Sequence, residues 1–170
     1  MDANLAYHFV GKTLRDGRPV PADGEWLEHD GELELCASGL HASLDPFDAL
    51  QYAPGSTLCL VELGGEIAHG HDKVVATRRK IIKRIDAEPL MLEFVRWCAL
   101  QVIDRWDAPD VVRQYLTTGS EALRAASWDA AWDAAWAARD AAQDTAWHAA
   151  WAAQRAHFLH LVETAFKESK

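Results

Sequence analysis

The chain has 170 residues, 49% of them hydrophobic, which suits one domain or a small domain with an appendage and permits a core without covalent staples. Its net charge of −9 is uneven: residues 1–72 carry −10, residues 73–106 carry +4 and residues 107–170 carry −3. That acidic bulk argues against direct nucleic-acid binding through phosphates and suits a solubilising surface or a basic partner.

MDANLAYHFVGK lacks a basic flank before an apolar run, and no 18-residue apolar stretch occurs, so a cytoplasmic protein with no membrane contact is expected. Cys36, Cys59 and Cys98 form an odd set without C-x-x-C spacing. Neither a disulfide framework nor a zinc site is indicated, and each reads as a small core residue.

In chain order, LAYHFVG (5–11) is a β-type run, RDGRPVPADGEW (15–26) supplies turns or edge structure, and GELELCASG (31–39) alternates as a strand does. A short helix follows in DPFDALQYAPG (45–55), capped by Ser43 or Asp45, with Pro46 in its first turn and Phe47, Leu50 and Ala53 on one face. TLCLVELGGEI (57–67) predicts a strand with a bulge or turn at Gly64-Gly65, and KVVATRRKIIKRID (73–86) a β-branched strand with its bases on the solvent side. Because charges alternate with Ile81 and Ile85, an edge strand of mixed environment fits this run better than a groove for nucleic acid.

From Pro89 the period becomes helical. Leu90, Phe94, Trp97, Cys98 and Val102 lie close to one stripe of a helix over 89–106; a second helix over 109–118 opens at Pro109 and closes at Gly119. Residues 120–167 contain neither Gly nor Pro and predict a long Ala/Trp-rich helix. Trp128, Trp132, Trp136, Trp147 and Trp151 are spaced 4, 4, 11 and 4, which places all five within a face about 140° wide. Unbroken, that helix would run roughly 70 Å, beyond the roughly 40 Å diameter of a compact domain this size. It either breaks near residues 141–146 or meets another surface, as the third helix of an internal bundle, a homodimer seam or a partner contact.

His69, His71 and Asp72 have no third ligand at marked spacing, and His148, His157 and His160 lack a metal-binding arrangement, so no metal site and no cofactor are expected.

ELCASGLHASLDPFDALQYAPGSTLCLVELGGEI followed by DKVVATRRKIIKRID resembles an uncharacterised domain family common in phage and prophage proteins. The likeness covers about residues 5–86 and rests on Cys36, Ser38, Gly39, Leu40, His41, Ala42, Pro46, Glu62, Gly65, Glu66 and Lys73. It implies a mobile-element setting and no established activity. The helical remainder resembles Ala/Trp-rich tails of bacterial and phage proteins, some of them labelled immunity proteins. A fainter likeness is to ADP-ribosyltransferase-like folds. YHF (7–9), GLHAS (39–43), Tyr52 and Glu62 or Glu66 occur in the order of that fold's polar first strand, later strand, stacking tyrosine and carboxylate. The likeness implies a histidine at a ribose, Tyr52 on nicotinamide and Glu62 or Glu66 as the catalytic carboxylate, in a pocket lined by His8, His41 and Tyr52.

The expectation is an α+β protein: a small mixed β-sheet domain with one short helix (1–87), then a helical region (88–170). Its expected function is that of a phage-type non-catalytic interaction protein that binds and modulates a host protein or complex such as a defence system, whether as an inhibitor or as a structural accessory factor. The five tryptophans are its contact residues. The alternative is an NAD-binding enzyme using His8, His41, Tyr52 and Glu62.

Overall fold

The computed structural model describes residues 4–105, 107–124, 126–127 and 147–169, with side chains in the last span from residue 150 onward. The fold is α+β, as expected. Five strands, β1 (Leu5–Val10), β2 (Trp26–Glu28), β3 (Leu40–Ala42), β4 (Thr57–His69) and β5 (Val74–Asp86), form one sheet whose described pairings are all antiparallel. The helices are α1 (Pro46–Leu50), α2 (Glu88–Leu100), α3 (Asp110–Thr118) and α4 (Trp147–Glu168), with a 3-10 turn at Ile103–Arg105.

β4 and β5 make a long hairpin, β1 pairs with the free side of β4, and β2 and β3 both pair with β5. Tyr7 and Ser43 then exchange backbone bonds of 2.7 and 2.9 Å. The path β1-β4-β5-β3 thus meets itself in a small ring. Ala6, Val10, Ala42, Cys59, Val61, Leu63, Val74, Ala76 and Ile81 from its four strands form one buried cluster. Such small residues suit the narrow interior of a closed sheet.

The hairpin bends at two bulges, one at Leu60/Val61 and one between Gly64 and Ile67. The second requires glycine: Gly65 has φ +70°, and a Cβ there would fall 2.1 Å from Thr77 Oγ1, which accepts the Glu66 N–H at 3.0 Å. The Gly-Gly reading of the sequence is met.

On the opposite face, Tyr7 and Phe9 stand beside their cross-strand partners Leu60 and Leu58. Phe166 of α4 lies 6.3 Å from the Tyr7 ring, and Phe47 of α1 meets Phe158 edge-on at 6.1 Å. Phe158 and Val162 are fully buried. Lys83 Nζ donates to Phe166 O at 2.9 Å and to Ser169 O, giving the last carbonyls of α4 a cation.

α1 starts where the sequence predicts, with the Asp45 carboxylate accepting Phe47 N–H at 2.8 Å and Pro46 in the first turn. α3 ends at Gly119, φ +67°, whose N–H reaches Tyr115 O at 2.8 Å. α2 stops at Leu100, and the following turn buries Ile103 while leaving Val102 exposed. Val102 therefore drops out of the expected stripe because the helical rotation that would align it has ended. Residues 121–124 are helical, but most of the expected 120–167 helix and the break near 141–146 lie outside the described residues.

Three expectations are corrected. Residues 31–39 are not a strand: Glu34 and Ser38 bond reciprocally at 2.9 Å, closing a tight turn in which Cys36 adopts φ +70°. The alternation there lacks a ladder partner. The first half of the basic run is not on an edge, since residues 78–80 of β5 pair with β2 on one side and β4 on the other, and Arg79 turns inward; Lys83 and Arg84 have a strand partner in β4 alone. Cys36 is exposed; of the three cysteines only Cys59 is fully buried.

The chain divides into two compact units, one of Met1–Glu88 with Phe158–Lys170 and one of Pro89–His157. In the second, Trp97 stacks on His157 at 4.1 Å and on Phe94 at 6.5 Å, while Ile103, Ala108 and Val112 form a separate small cluster.

Candidate functional site

The chemically richest group of side chains gathers where the 34–38 turn, the end of α1 and the tip of the β4–β5 hairpin converge. Gly39 makes this possible. Its φ is +113°, and a Cβ would lie 2.4 Å from Val75 Cγ2 and 2.8 Å from Leu33 Cδ2, so only glycine lets the turn lie against β5. His41 Nε2 accepts the Cys36 N–H at 2.9 Å, and its Nδ1 lies 3.1 Å from Gly39 O. Acceptance at Nε2 leaves the proton on Nδ1, where it is donated to that carbonyl. His41 is therefore the brace of the turn. Burial holds its imidazole below the ordinary histidine range, opposed by the Gly39 carbonyl and reinforced by Lys73, Arg79 and Arg15.

Across from the brace, Lys73 Nζ donates to Cys36 Sγ at 3.2 Å and lies 4.0 Å above the Tyr52 ring. The Tyr52 hydroxyl donates to the Asp72 carboxylate, which keeps Asp72 below the usual carboxylate range. Arg15 Nη1 reaches Cys36 O at 3.4 Å. A shallow cleft beside the cluster is lined by Leu44, Asp45, Asp48, His71, Asp72 and Lys73.

A second polar group sits inside the ring. Arg79 is 6% exposed and donates to His41 O. Among the described residues no carboxylate pairs with it. Burial lowers its pKa to about 10, so the guanidinium stays charged at neutral pH. His8, alternating with Ala6 and Val10, points to the same interior; burial first, then Arg79 and His41, push its imidazole well below the ordinary range. Burial raises the Cys59 thiol to about 11 against the pull of Arg84 and Arg79.

Of the four residues that the enzyme reading would unite, His41 and Tyr52 join one cluster through Cys36 and Lys73 and His41 acts on His8, but Glu62 is set apart. His8 faces the interior with Cys59, its register partner, whereas Glu62 alternates to the other face and pairs with Lys80 at 2.7 Å beside Trp26. Tyr52 is exposed and engaged with Asp72 and Lys73. Trp128, Trp132 and Trp136, and the side chain of Trp147, lie outside the described residues; Trp151 is 40% exposed. Sequence reasoning missed Arg79 as an interior residue and the Cys36–Lys73 contact. The signal for Arg79 was its place between the apolar pairs Val74-Val75 and Ile81-Ile82 in one strand.

Among the described residues no group of three or more His, Cys, Asp or Glu could hold a metal ion, and no helix is long and apolar enough to cross a membrane.

The first unit is thus a ring-forming antiparallel sheet with one face under helices and a braced turn at one end. The chain belongs to the family described as Domain of unknown function (DUF7666), whose model matches residues 4–93. No curated protein and no solved structure matches it.

Proposed function

We propose that the protein acts without catalysis, as a module that binds a partner protein through its second unit. The carrying observation is the apolar surface of α2: Val95 is 62% exposed, Leu92 on the same side of the helix is exposed too, and Val102 follows just beyond its end. Exposed apolar side chains grouped in this way mark contact surfaces. Trp151, exposed in the same unit, adds an aromatic anchor of the kind that dominates interface energetics. The tryptophans at 128, 132, 136 and 147 extend the proposed contact set, and self-association through the last helix belongs to the same reading. The phage-type setting that the sequence likeness implies makes a host complex, such as a defence system, the partner class and inhibition the effect.

The test is affinity capture with the full chain beside Val95→Glu and Trp151→Glu, together with sedimentation of the free protein and calorimetry with NAD. A stoichiometric partner, or a homodimer, lost in both variants without loss of fold supports the proposal. A partner that both variants retain removes this surface, and NAD binding abolished by Tyr52→Ala would replace the binder with the enzyme reading.

A further inference from the structure

We propose that Cys36 and Lys73 form a site of oxidative modification, at which a peroxide converts the thiol to a sulfenic acid and the lysine nitrogen then closes on sulfur to give a sulfenamide bridge. The two atoms that would bond already lie 3.2 Å apart. The thiol sits on an exposed turn, open to a small oxidant, while Cys59 is buried and Cys98 half-buried. Lys73 is not free to sweep through solvent: its Nζ rests 4.0 Å over Tyr52, and the Tyr52 hydroxyl is tied to Asp72. Holding amine and sulfur together turns a bimolecular capture into an intramolecular one, with a high effective concentration.

In the first step the peroxide O–O bond breaks, one oxygen joins sulfur with loss of the thiol proton, and the other leaves as water. Sulfur is oxidised by two electrons and the peroxide reduced by two. In the second, the nitrogen of Lys73, having released one proton to solvent, attacks the sulfenic sulfur. The S–N bond forms, the S–O bond breaks, and the hydroxyl leaves as water with a second proton from nitrogen. No further oxidant is needed. The bridge would pin the 34–38 turn to the hairpin tip, joining residues 37 apart in sequence.

Contact with the Tyr52 hydroxyl and with Cys36 holds Lys73 above the ordinary lysine range. The reactive free amine is accordingly scarce at neutral pH, and closure should quicken by about tenfold per unit of rising pH.

The experiment treats the full chain with equimolar hydrogen peroxide at neutral and mildly alkaline pH and reads intact mass and non-reducing tryptic maps. The wild type should lose two hydrogens, resist trypsin after Lys73 so that peptide 16–73 is replaced by peptide 16–78 two hydrogens lighter, give no fragment ions between Cys36 and Lys73, and revert with dithiothreitol. Lys73→Arg keeps a cation over Tyr52 but should stop at a sulfenic acid that dimedone traps on Cys36. Equal dimedone labelling of wild type and Lys73→Arg, with normal cleavage after Lys73 in the wild type, would overturn the proposal. So would a link that retains oxygen, or oxidation confined to Cys59 or Cys98. The wild-type map decides alone if the variant misfolds.

Discussion

Arg79 and His8 set how the sheet ring responds to acid. Both His8 and His41 are held below the ordinary histidine range, so the unfolded chain takes up these protons first. Their contribution to stability is complete above about pH 6.5 and declines as the pH falls toward their folded values. Urea unfolding at about pH 7.5 and about pH 5 should show a lower midpoint in acid, above the range where carboxylates titrate. His8→Leu, which binds no proton, should flatten that difference. A dependence unchanged in the variant would place the acid sensitivity elsewhere. Gly39 offers a second residue-scale expectation. Gly39→Ala combines a left-handed φ, worth about 1–2 kcal/mol, with contacts of 2.4 and 2.8 Å that Val75 and Leu33 must relieve. A lowered melting temperature with loss of the Cys36–His41 brace, visible as a shifted His41 NMR resonance, is the expected result.

At the level of elements, local chemistry was readable in the sequence and remote chemistry was not. The Asp45 cap, the Gly119 stop and the Gly64-Gly65 bulge each follow from a residue acting on its own neighbourhood, and all three stand in the structure. The 31–39 segment misled because Leu33 and Leu35 alternate with acids, yet the segment has no strand to pair with, and alternation without a ladder does not make a strand. Arg79 misled for the converse reason: its backbone is ordinary strand, and only the closing of β3 onto β1 through Ser43 and Tyr7 puts its side chain inside. The Cys36–Lys73 contact depends on the turn and the hairpin tip arriving at one place, which spacing does not encode. Lys83 belongs here too. Lys83→Met should keep the strand but leave the Phe166 and Ser169 carbonyls without their cation, so amide exchange should rise in the last turn of α4 and not in β5.

For the whole molecule, the family match covers residues 4–93, but the unit that holds most of it, Met1–Glu88, also takes in Phe158–Lys170. Phe158 and Val162 are as buried as any residue of the sheet, and Phe47 meets Phe158 directly. A fragment of residues 1–93 should therefore expose the Tyr7–Phe9 face, bind the dye ANS and unfold without a sharp transition. In the full chain, Phe158→Ala should lower stability by about 3–5 kcal/mol, as for other large-to-small core changes. Cooperative unfolding of the 1–93 fragment at the full-length midpoint would show that the helical cover is dispensable.

The bonds from Lys83 to the end of α4 span up to 86 residues. They carry a consequence for synthesis and for the chain's tolerance of change. Nothing between residues 89 and 157 belongs to the first unit, so that stretch is an insertion between two pieces of a single core. A ribosome must finish the insertion before it releases the residues that seal the sheet. Until then the aromatic face has only the short α1 over it, and a pause or premature stop within the insertion leaves the sheet without the cover that Phe158 and Val162 provide.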